Sequence, residues 1–196
     1  GIGADQMIGG IGNDSYVVDD TGDVVDEDAR GGTDTVYADI DYALPSNVEQ
    51  LILVEGSAAL NGSGNDDANT LIGNSAGNLL YGNGGDDTLY GQGGNDTLLG
   101  HAGRDILAGG AGDDTLLGGT DADIFYFSAG NGKDRILDFN SAEGDKIMIS
   151  TAMAPDFAHL GTYYVADGIL YAFAPDNWIT IVGATEPLKE SDFLFY

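Results

Sequence analysis

Acidic side chains recur every nine residues through the middle of this chain, and their spacing indicates metal-ion chemistry. Residues 64–126 divide without gaps into seven nonapeptides, which begin at Gly64, Gly73, Gly82, Gly91, Gly100, Gly109 and Gly118. Position 6 is Asp in five of these units and Asn in two, at Asn69 and Asn78. Asp is common in turns, but a general preference for turns does not explain five Asp residues that recur at the same position of successive nine-residue units. Carboxylates and turn carbonyls are hard oxygen ligands, of which Ca²⁺ takes roughly six to eight.

Each nonapeptide combines a turn with a very short strand. The first six positions are rich in Gly, Asn and Asp, which suit turns with positive φ angles. The last three read polar–apolar–any, with Leu or Phe at position 8, and predict a strand with one inward-facing side chain. One unit cannot bury that side chain alone. We therefore expect the units to stack into two thin sheets with a ladder of leucines between them.

The excess of acidic over basic residues excludes one class of function and indicates what the chain binds. The 196 residues include 33 Asp plus Glu and 6 Lys plus Arg, a formal net charge of -27. Nucleic-acid binding needs a basic footprint and is excluded. Such a chain repels itself when compact, so multivalent cations are the expected neutralising partner. There is no Cys to form disulfides or thiolate metal sites, and no apolar run long enough to span a membrane.

The nonapeptides match the pattern G-G-x-G-x-D-x-U-x, and the chain resembles the RTX (repeats-in-toxin, haemolysin-type calcium-binding) family. The resemblance implies an all-β fold, a parallel β-roll that is a right-handed β-solenoid with two nonapeptides in each coil. It also implies that each Ca²⁺ lies between one turn and the second turn after it. Positions 2, 4 and 6 of one turn and positions 1, 3 and 6 of the other supply the ligands. Position 6 provides a carboxylate and the other positions provide backbone carbonyls.

The family pattern can be carried onto this chain residue by residue. The first site would use Asn83, Gly85, Asp87, Gly100, Ala102 and Asp105. The second would use Gln92, Gly94, Asp96, Gly109, Ala111 and Asp114. The third would use His101, Gly103, Asp105, Gly118, Thr120 and Asp123.

Two further sites depart from the pattern. A fourth would use Asn74, Ala76, Asn78, Gly91, Gly93 and Asp96. We expect it to be weaker or empty because Asn78 is neutral, and the pair of units beginning at Gly64 and Gly82 shares this defect at Asn69. A last site would join Gly110, Gly112 and Asp114 to residues 130–134, including Asp134, although the spacing there is not nine.

The N-terminal part carries one partial unit (1–8) and one full unit (9–17), and Asp14 is the predicted ligand of this separate roll. The period then breaks, and short strands are predicted at 23–25, 35–37 and 49–54. This stretch resembles a segment found between RTX blocks, which implies an irregular but continuing solenoid. Asp20, Glu27 and Asp34 are candidate additional ligands, with solvated carboxylates on an acidic face as the equally supported alternative.

Aromatic and apolar residues concentrate after residue 126 and predict a β-structured cap, with a hairpin around Pro175, Asp176 and Asn177. The ending LKESDFLFY resembles the uncleaved C-terminal signal of type I secretion substrates. Three regions result: 1–63 with partial repeats and irregular solenoid, 64–126 with the seven-unit roll, and 127–196 with the cap and signal. The expected protein is the C-terminal part of a larger one, exported by a Gram-negative bacterium to the cell surface or beyond.

The expected function is a calcium-binding module that folds outside the cell and supports type I secretion, with no catalytic residue of its own. Two alternatives stay open. Ser75 lies in a G-x-S-x-G motif, but no strand–helix context or His and Asp partners accompany it, so part of a lipase-like hydrolase is less favoured. A glycan-binding or adhesin module would use an aromatic face, although cap core is the favoured interpretation of these side chains, namely Tyr163, Tyr164, Tyr171, Phe173 and Trp178.

Overall fold

The computed structural model describes residues 1–29, 31–57, 60–174 and 176–196, which form a parallel β-solenoid of about eight turns. Its only helical elements over these residues are two short 3₁₀ turns, Phe157–His159 and Glu190–Asp192. The strands in chain order are β1 Gln6–Ile8, β2 Ser15–Val18, β3 Val24–Asp26, β4 Thr35–Ala38, β5 Tyr42–Ala43, β6 Gln50–Leu53, β7 Asn61–Ser63, β8 Thr70–Ile72, β9 Leu79–Gly84, β10 Thr88–Gly93, β11 Thr97–Ala102, β12 Ile106–Ala111, β13 Thr115–Thr120, β14 Ile124–Phe127, β15 Lys133–Ile136, β16 Lys146–Ile149, β17 Gly161–Val165, β18 Gly168–Ala174, β19 Asn177–Val182 and β20 Phe193–Phe195. The predicted all-β solenoid is therefore confirmed.

Two nine-stranded sheets face each other along the molecule, and successive nonapeptides alternate between them. Sheet 1 has the order β2-β4-β6-β8-β10-β12-β14-β16-β20, and all its pairs are parallel. Sheet 2 has the order β5-β7-β9-β11-β13-β15-β19-β18-β17. Leu89 pairs with Leu107 in sheet 1, and Leu98 pairs with Leu116 in sheet 2. Because equivalent residues pair 18 positions apart, two nonapeptides make one coil.

The core is the ladder of position-8 side chains between the two sheets. These side chains are all fully buried and comprise Leu71, Leu80, Leu89, Leu98, Leu107, Leu116 and Phe125. The predicted leucine ladder is confirmed. Strands β9 to β13 are six residues long, however, and include the first three positions of the next unit. Stacking brings each residue opposite its equivalent in the next coil. The Gly-rich backbone is therefore also paired between strands, as Gly93 is with Ala111.

The flanking regions extend the same two sheets, except that β1 and β3 pair in parallel as a separate two-stranded sheet. Strands β2, β4 and β6 place the irregular N-terminal stretch in sheet 1, and the strands predicted there are confirmed to within a residue or so at each end. In the cap, β16 and β20 continue sheet 1, while β18 and β19 form the predicted antiparallel hairpin. Pro175 lies outside the described residues. The boundaries after residues 63 and 126 stay predictions, since both sheets run across them.

In the described part of the chain, no helix has the length and apolar character needed to cross a membrane.

Candidate metal-binding turns

Two ladders of buried carboxylates run beside the sheets, and each carboxylate comes two residues before a fully buried apolar side chain. Along sheet 1, Asp87, Asp105 and Asp123 are each no more than 1% exposed. Their Oδ1 atoms accept hydrogen bonds from the backbone amide of the equivalent residue one coil earlier. The distances from donor nitrogen to Oδ1 are 2.7 Å for Asn69 to Asp87, 2.8 Å for Asp87 to Asp105 and 2.9 Å for Asp105 to Asp123. The backbone therefore fixes each carboxylate in place.

The ladder along sheet 2 has the same construction. Asp96, Asp114 and Asp134 are each no more than 2% exposed. Their Oδ1 atoms accept from the amides of Asn78, Asp96 and Asp114 at 2.7, 2.8 and 3.0 Å. Asp134 belongs to the predicted last site, and this bond joins it to Asp114 despite the irregular spacing of the sequence.

The second oxygen of each ladder carboxylate has no hydrogen-bond partner and is buried. This holds for Oδ2 of Asp87, Asp96, Asp105, Asp114, Asp123 and Asp134. A buried acceptor that is left unpaired costs about 1–3 kcal/mol, and more when it carries a charge. Six such atoms in two regular rows mark positions that suit a cation.

Each unpaired carboxylate oxygen in the middle of the roll has a backbone carbonyl oxygen beside it. Asp87 Oδ2 and the Gly100 carbonyl oxygen both lie within 2.7 Å of the point where a side chain would begin on Gly82. Gly91 has the same relation to Asp96 Oδ2 and the Gly109 carbonyl oxygen. Glycine is required at position 1 because a Cβ atom would occupy the space between these oxygens. Gly100 shows this geometry as well, with Asp105 Oδ2 and the Gly118 carbonyl oxygen. The structure thus brings together the position-6 and position-1 members of the three best predicted sites.

Left-handed backbone at positions 2 and 4 turns further carbonyls toward the next coil. At position 2, φ is 79° for Asn83, 77° for Gln92 and 79° for His101. At position 4, φ is 93° for Gly85, 101° for Gly94 and 127° for Gly103. A side chain on Gly110, Gly112 or Gly119 would collide with the carbonyls of Gln92, Gly94 and His101 respectively.

Two position-3 carbonyls accept backbone hydrogen bonds from the neighbouring coil. The carbonyl of Ala111 accepts a hydrogen bond from the Gly94 amide at 2.9 Å, and that of Thr120 accepts from the Gly103 amide at 3.4 Å. Each of these oxygens keeps one further lone pair. A position-3 carbonyl could therefore bind a cation and still hold the neighbouring coil.

Burial raises the pKa of the ladder carboxyls far above the ordinary Asp value. Removal from water is the main cause, and neighbouring carboxylates add to it. The pKa rises to about 7 for Asp87, Asp96 and Asp123, and to about 6 for Asp105 and Asp114. That of Asp134 rises to about 8. At neutral pH a proton and a cation therefore compete for each of these groups.

In the two turns with Asn at position 6, the Asn side chain is hydrogen-bonded to backbone groups of the protein. Asn69 Oδ1 accepts from the Asn65 amide at 2.7 Å, and its Nδ2 donates to the Val48 carbonyl at 3.1 Å. Asn78 Oδ1 accepts from the Asn74 amide at 2.8 Å. Among the described residues, left-handed φ at position 2 occurs in the five units from Gly82 onward and not in these two. Both the ligand charge and the turn conformation thus differ where the sequence predicts weaker or empty sites.

The ladders continue into regions that the nine-residue period does not reach. Asp34 accepts from the Asp14 amide at 2.7 Å through Oδ1 and is fully buried, and Glu27 is 8% exposed. Solvated carboxylates are therefore the wrong interpretation for Asp34 and Glu27. Asp20 instead accepts from the Gly22 amide at 2.8 Å within a turn.

Sequence reasoning missed Asp145, which is 3% exposed and accepts from the Asp123 amide at 3.0 Å. It extends the sheet 1 ladder into the cap. Its Asp-x-apolar pattern before β16 is the signal that could have identified it.

The alternative functional residues lie apart from the ladders. The Ser75 hydroxyl donates to Glu55, whereas His101 stacks on Tyr81 and His159 bonds Asp156. Tyr171 is fully buried in the cap core, as expected. Tyr163 and Tyr164 are 58% and 69% exposed, so cap core is the wrong interpretation for these two side chains.

A groove of about 440 Å³ on the cap is lined by Gly161, Tyr163, Ala172, Phe173, Ala174 and Trp178. The Lys133 ammonium lies 4.7 Å from the centre of the Trp178 ring. It covers part of the aromatic surface that a ligand would use.

Comparison with solved structures finds the same fold in a known protein. Over nearly its full length the chain superposes on the extracellular lipase LipA from Serratia marcescens, with a TM-score of 0.50 and 15% identity. The match covers 98% of this chain and 38% of the lipase, so the chain spans well under half of that protein. A subunit of the mannuronan C5-epimerase from Azotobacter vinelandii is 29% identical, with a TM-score of 0.33, over 66% of this chain and 78% of that subunit. No match was found among curated protein sequences.

A family model for the RTX calcium-binding nonapeptide repeat matches residues 1–21, 63–98 and 99–134. The matched residues include every Asp of both ladders from Asp87 to Asp134, and such repeats bind calcium. The predicted cofactor is thereby confirmed at the level of the family. With its parallel solenoid and two carboxylate ladders, the chain carries the calcium-binding nonapeptide repeats of the RTX family over the matched residues, just under half of its length.

Proposed function

We propose that this chain is a calcium-dependent folding module, which stays open inside a low-calcium cell and folds around Ca²⁺ after export. The observation that carries the proposal is the set of buried, unpaired Oδ2 atoms in the two ladders. Without cations, the net charge of -27 opposes compaction and these oxygens lack partners. Ions bound between the coils would neutralise the charge and pair the oxygens, so ligand binding energy would appear as folding energy.

The ladder residues would hold the ions, and the rest of the roll would position them. Calcium supplies a compact positive charge that accepts many oxygen ligands. Asp87, Asp96 and Asp105 contribute Oδ2, while their Oδ1 atoms keep the coils in register through backbone amides. The leucine ladder beneath excludes water from the inner side. Affinities of roughly 10⁻⁴–10⁻³ M, typical of extracellular modules, would separate a folded state outside the cell from an open state inside it.

Circular dichroism of the chain, titrated with Ca²⁺ from an EGTA solution, tests the folding step. The expected result is a cooperative gain of β-structure at millimolar or submillimolar Ca²⁺. A chain that is already fully β-structured in excess EGTA would refute the proposal. Magnesium at equal concentration is the control, because its smaller, strictly octahedral shell fits this carbonyl-rich set poorly.

The proposal extends to type I secretion through the C-terminal segment. Strand β20 pairs in parallel with β16, Phe193 is 5% exposed, and Leu194 is 38% exposed. In the folded chain this segment is part of sheet 1, so an export apparatus would read it only from the open state. Leu194→Ser would leave the fold intact and lower export by a type I apparatus. Equal export of this variant and of the unsubstituted chain would refute the role of the segment.

A glycan-binding role is the second candidate, favoured by the exposed Tyr163 and Tyr164 and by the neighbouring groove. Tyr163→Ala and Trp178→Ala would then each lower retention on acidic and neutral polysaccharides without changing calcium-dependent folding. Retention of the unsubstituted chain by none of the polysaccharides would remove this candidate.

A further inference from the structure

Three acidic side chains meet at the N-terminal end of the solenoid, where no complete family pattern assigns an ion. Asp14 directly precedes β2, Glu27 directly follows β3, and Asp34 directly precedes β4. One carboxylate oxygen from each lies within 4.8 Å of the other two. Glu27 and Asp34 lie outside the residues that match the nonapeptide repeat.

The carboxylates are held in place, yet one of them lacks a partner. Asp34 is fully buried, and its Oδ2 has no hydrogen bond although Oδ1 accepts from the Asp14 amide at 2.7 Å. Glu27 Oε1 accepts from the Tyr16 hydroxyl, and Oε2 accepts from the amides of Gly10 and Asp28 at 3.1 and 3.2 Å. The site is therefore built from fixed groups rather than from mobile surface acids.

Oxygens of two of these acids and one backbone carbonyl converge on a single point. Glu27 Oε2 and the Gly10 carbonyl oxygen lie 2.9 Å, and Asp34 Oδ2 3.0 Å, from the place where a side chain would begin on Gly31. Like charges at such separations oppose each other unless a cation lies between them. The ion pairs found in the described part of the chain involve none of these acids.

We propose that Asp14, Glu27, Asp34 and the Gly10 carbonyl bind one further Ca²⁺ ion, which joins the first coil to the second. The donors are all hard oxygens, and no His or Cys offers the nitrogen or sulfur that Zn²⁺ favours. The ion would neutralise the acids, pair Asp34 Oδ2 and tie β2, β3 and β4 together. The inference rests on the proposed function and extends it, because Gly10 and Asp14 belong to the nonapeptide 9–17 whereas Glu27 and Asp34 come from the irregular stretch that the repeat does not reach.

Calcium bound per chain, measured by equilibrium dialysis of the full chain, tests the site. Glu27→Gln and Asp34→Asn are each expected to lower the count by one ion. Asp28→Asn is the matched control, because Asp28 is exposed and adjacent, and it should leave the count unchanged. Arg30, outside the described residues, is the only Lys or Arg before Arg104. Arg30→Gln should also leave the count unchanged if an ion neutralises the cluster.

An unchanged count in both Glu27→Gln and Asp34→Asn would overturn the proposal. Should either variant fail to fold, a crystal structure of the unsubstituted chain grown in Ca²⁺ decides. Density for an ion bonded to Glu27 and Asp34 supports the site, and its absence there overturns it. If instead the nonapeptide turns bound no calcium, the result would be different. The unsubstituted chain would then bind a single ion, and the Glu27→Gln variant would bind none.

Discussion

Replacing Asp105 by Asn should remove calcium-dependent stability while leaving the metal-free chain unharmed. Asp105 is the position-6 carboxylate of two predicted sites, the first and the third. Its Oδ1 accepts from the Asp87 amide at 2.8 Å, whereas Oδ2 is buried and unpaired. Asparagine keeps the first interaction and replaces the second oxygen by an NH₂ group, which cannot bind a cation.

The size of the effect follows from linkage. An ion present at about ten times its dissociation constant stabilises the folded state by RT ln 11, or about 1.4 kcal/mol. Loss of two ions should therefore lower the free energy of unfolding by about 3 kcal/mol at about 10 mM Ca²⁺, given affinities near 10⁻³ M. In EGTA the change should be neutral or stabilising, because the amide replaces an acid whose pKa burial raises to about 6.

Urea unfolding followed by circular dichroism measures the free energy of unfolding in Ca²⁺, and the residual β-structure of the two chains is compared in EGTA. Asp67→Asn is the control, since it removes the same charge from an exposed position of the roll. A loss of stability in Ca²⁺ accompanied by a loss of residual β-structure in EGTA would show that Asp105 acts through structure alone. No loss in Ca²⁺ would show that it binds no ion.

Three further predictions address the same turns. In EGTA, residual β-structure should decrease as the pH rises from 5 to 8. The raised pKa values of about 6 to 8 mean that the metal-free fold holds protons that the unfolded chain has released, and this stability is lost as those groups ionise. In saturating Ca²⁺ the folded fraction should instead fall on acidification, and circular dichroism showing the same trend in both solutions would contradict this. Gly91→Ala should abolish calcium-dependent folding because its Cβ would collide with Asp96 Oδ2 and the Gly109 carbonyl. Gly93→Ala should be tolerated, since its nearest neighbour would be 3.7 Å away, and an equal loss in both variants would refute the assigned cause. Asn78→Asp combined with Ala76→Gly should add one bound ion per chain, measured by equilibrium dialysis. Asn78→Asp alone should add none, because the backbone at position 4 must also become left-handed. An ion gained by the single variant would contradict this.

Much of the roll could be predicted because its interactions repeat at a fixed distance along the chain. Position 6 predicted Asp87, Asp96 and Asp105 as aligned carboxylates, and position 8 predicted the buried leucines, since stacking identical units superposes identical positions. Outside the period this reasoning weakens. Glu27 and Asp34 are 7 residues apart, and nothing in that spacing says that their oxygens share one point. Asp145 was missed because the coil that ends there is longer than 18 residues.

The amino-acid sequence by itself predicted the repeat and its calcium chemistry, because both follow from a short-range pattern, and the family resemblance of that pattern implied the two-unit coil. Only the tertiary structure decided which oxygen of each Asp is held by a backbone amide and which is left for an ion. It also decided that Asn69 and Asn78 close their own turns and that Asp14, Glu27 and Asp34 meet. The carboxylate contacts depend on how one coil lies on the next, a long-range relation that the spacing of residues along the chain does not reveal.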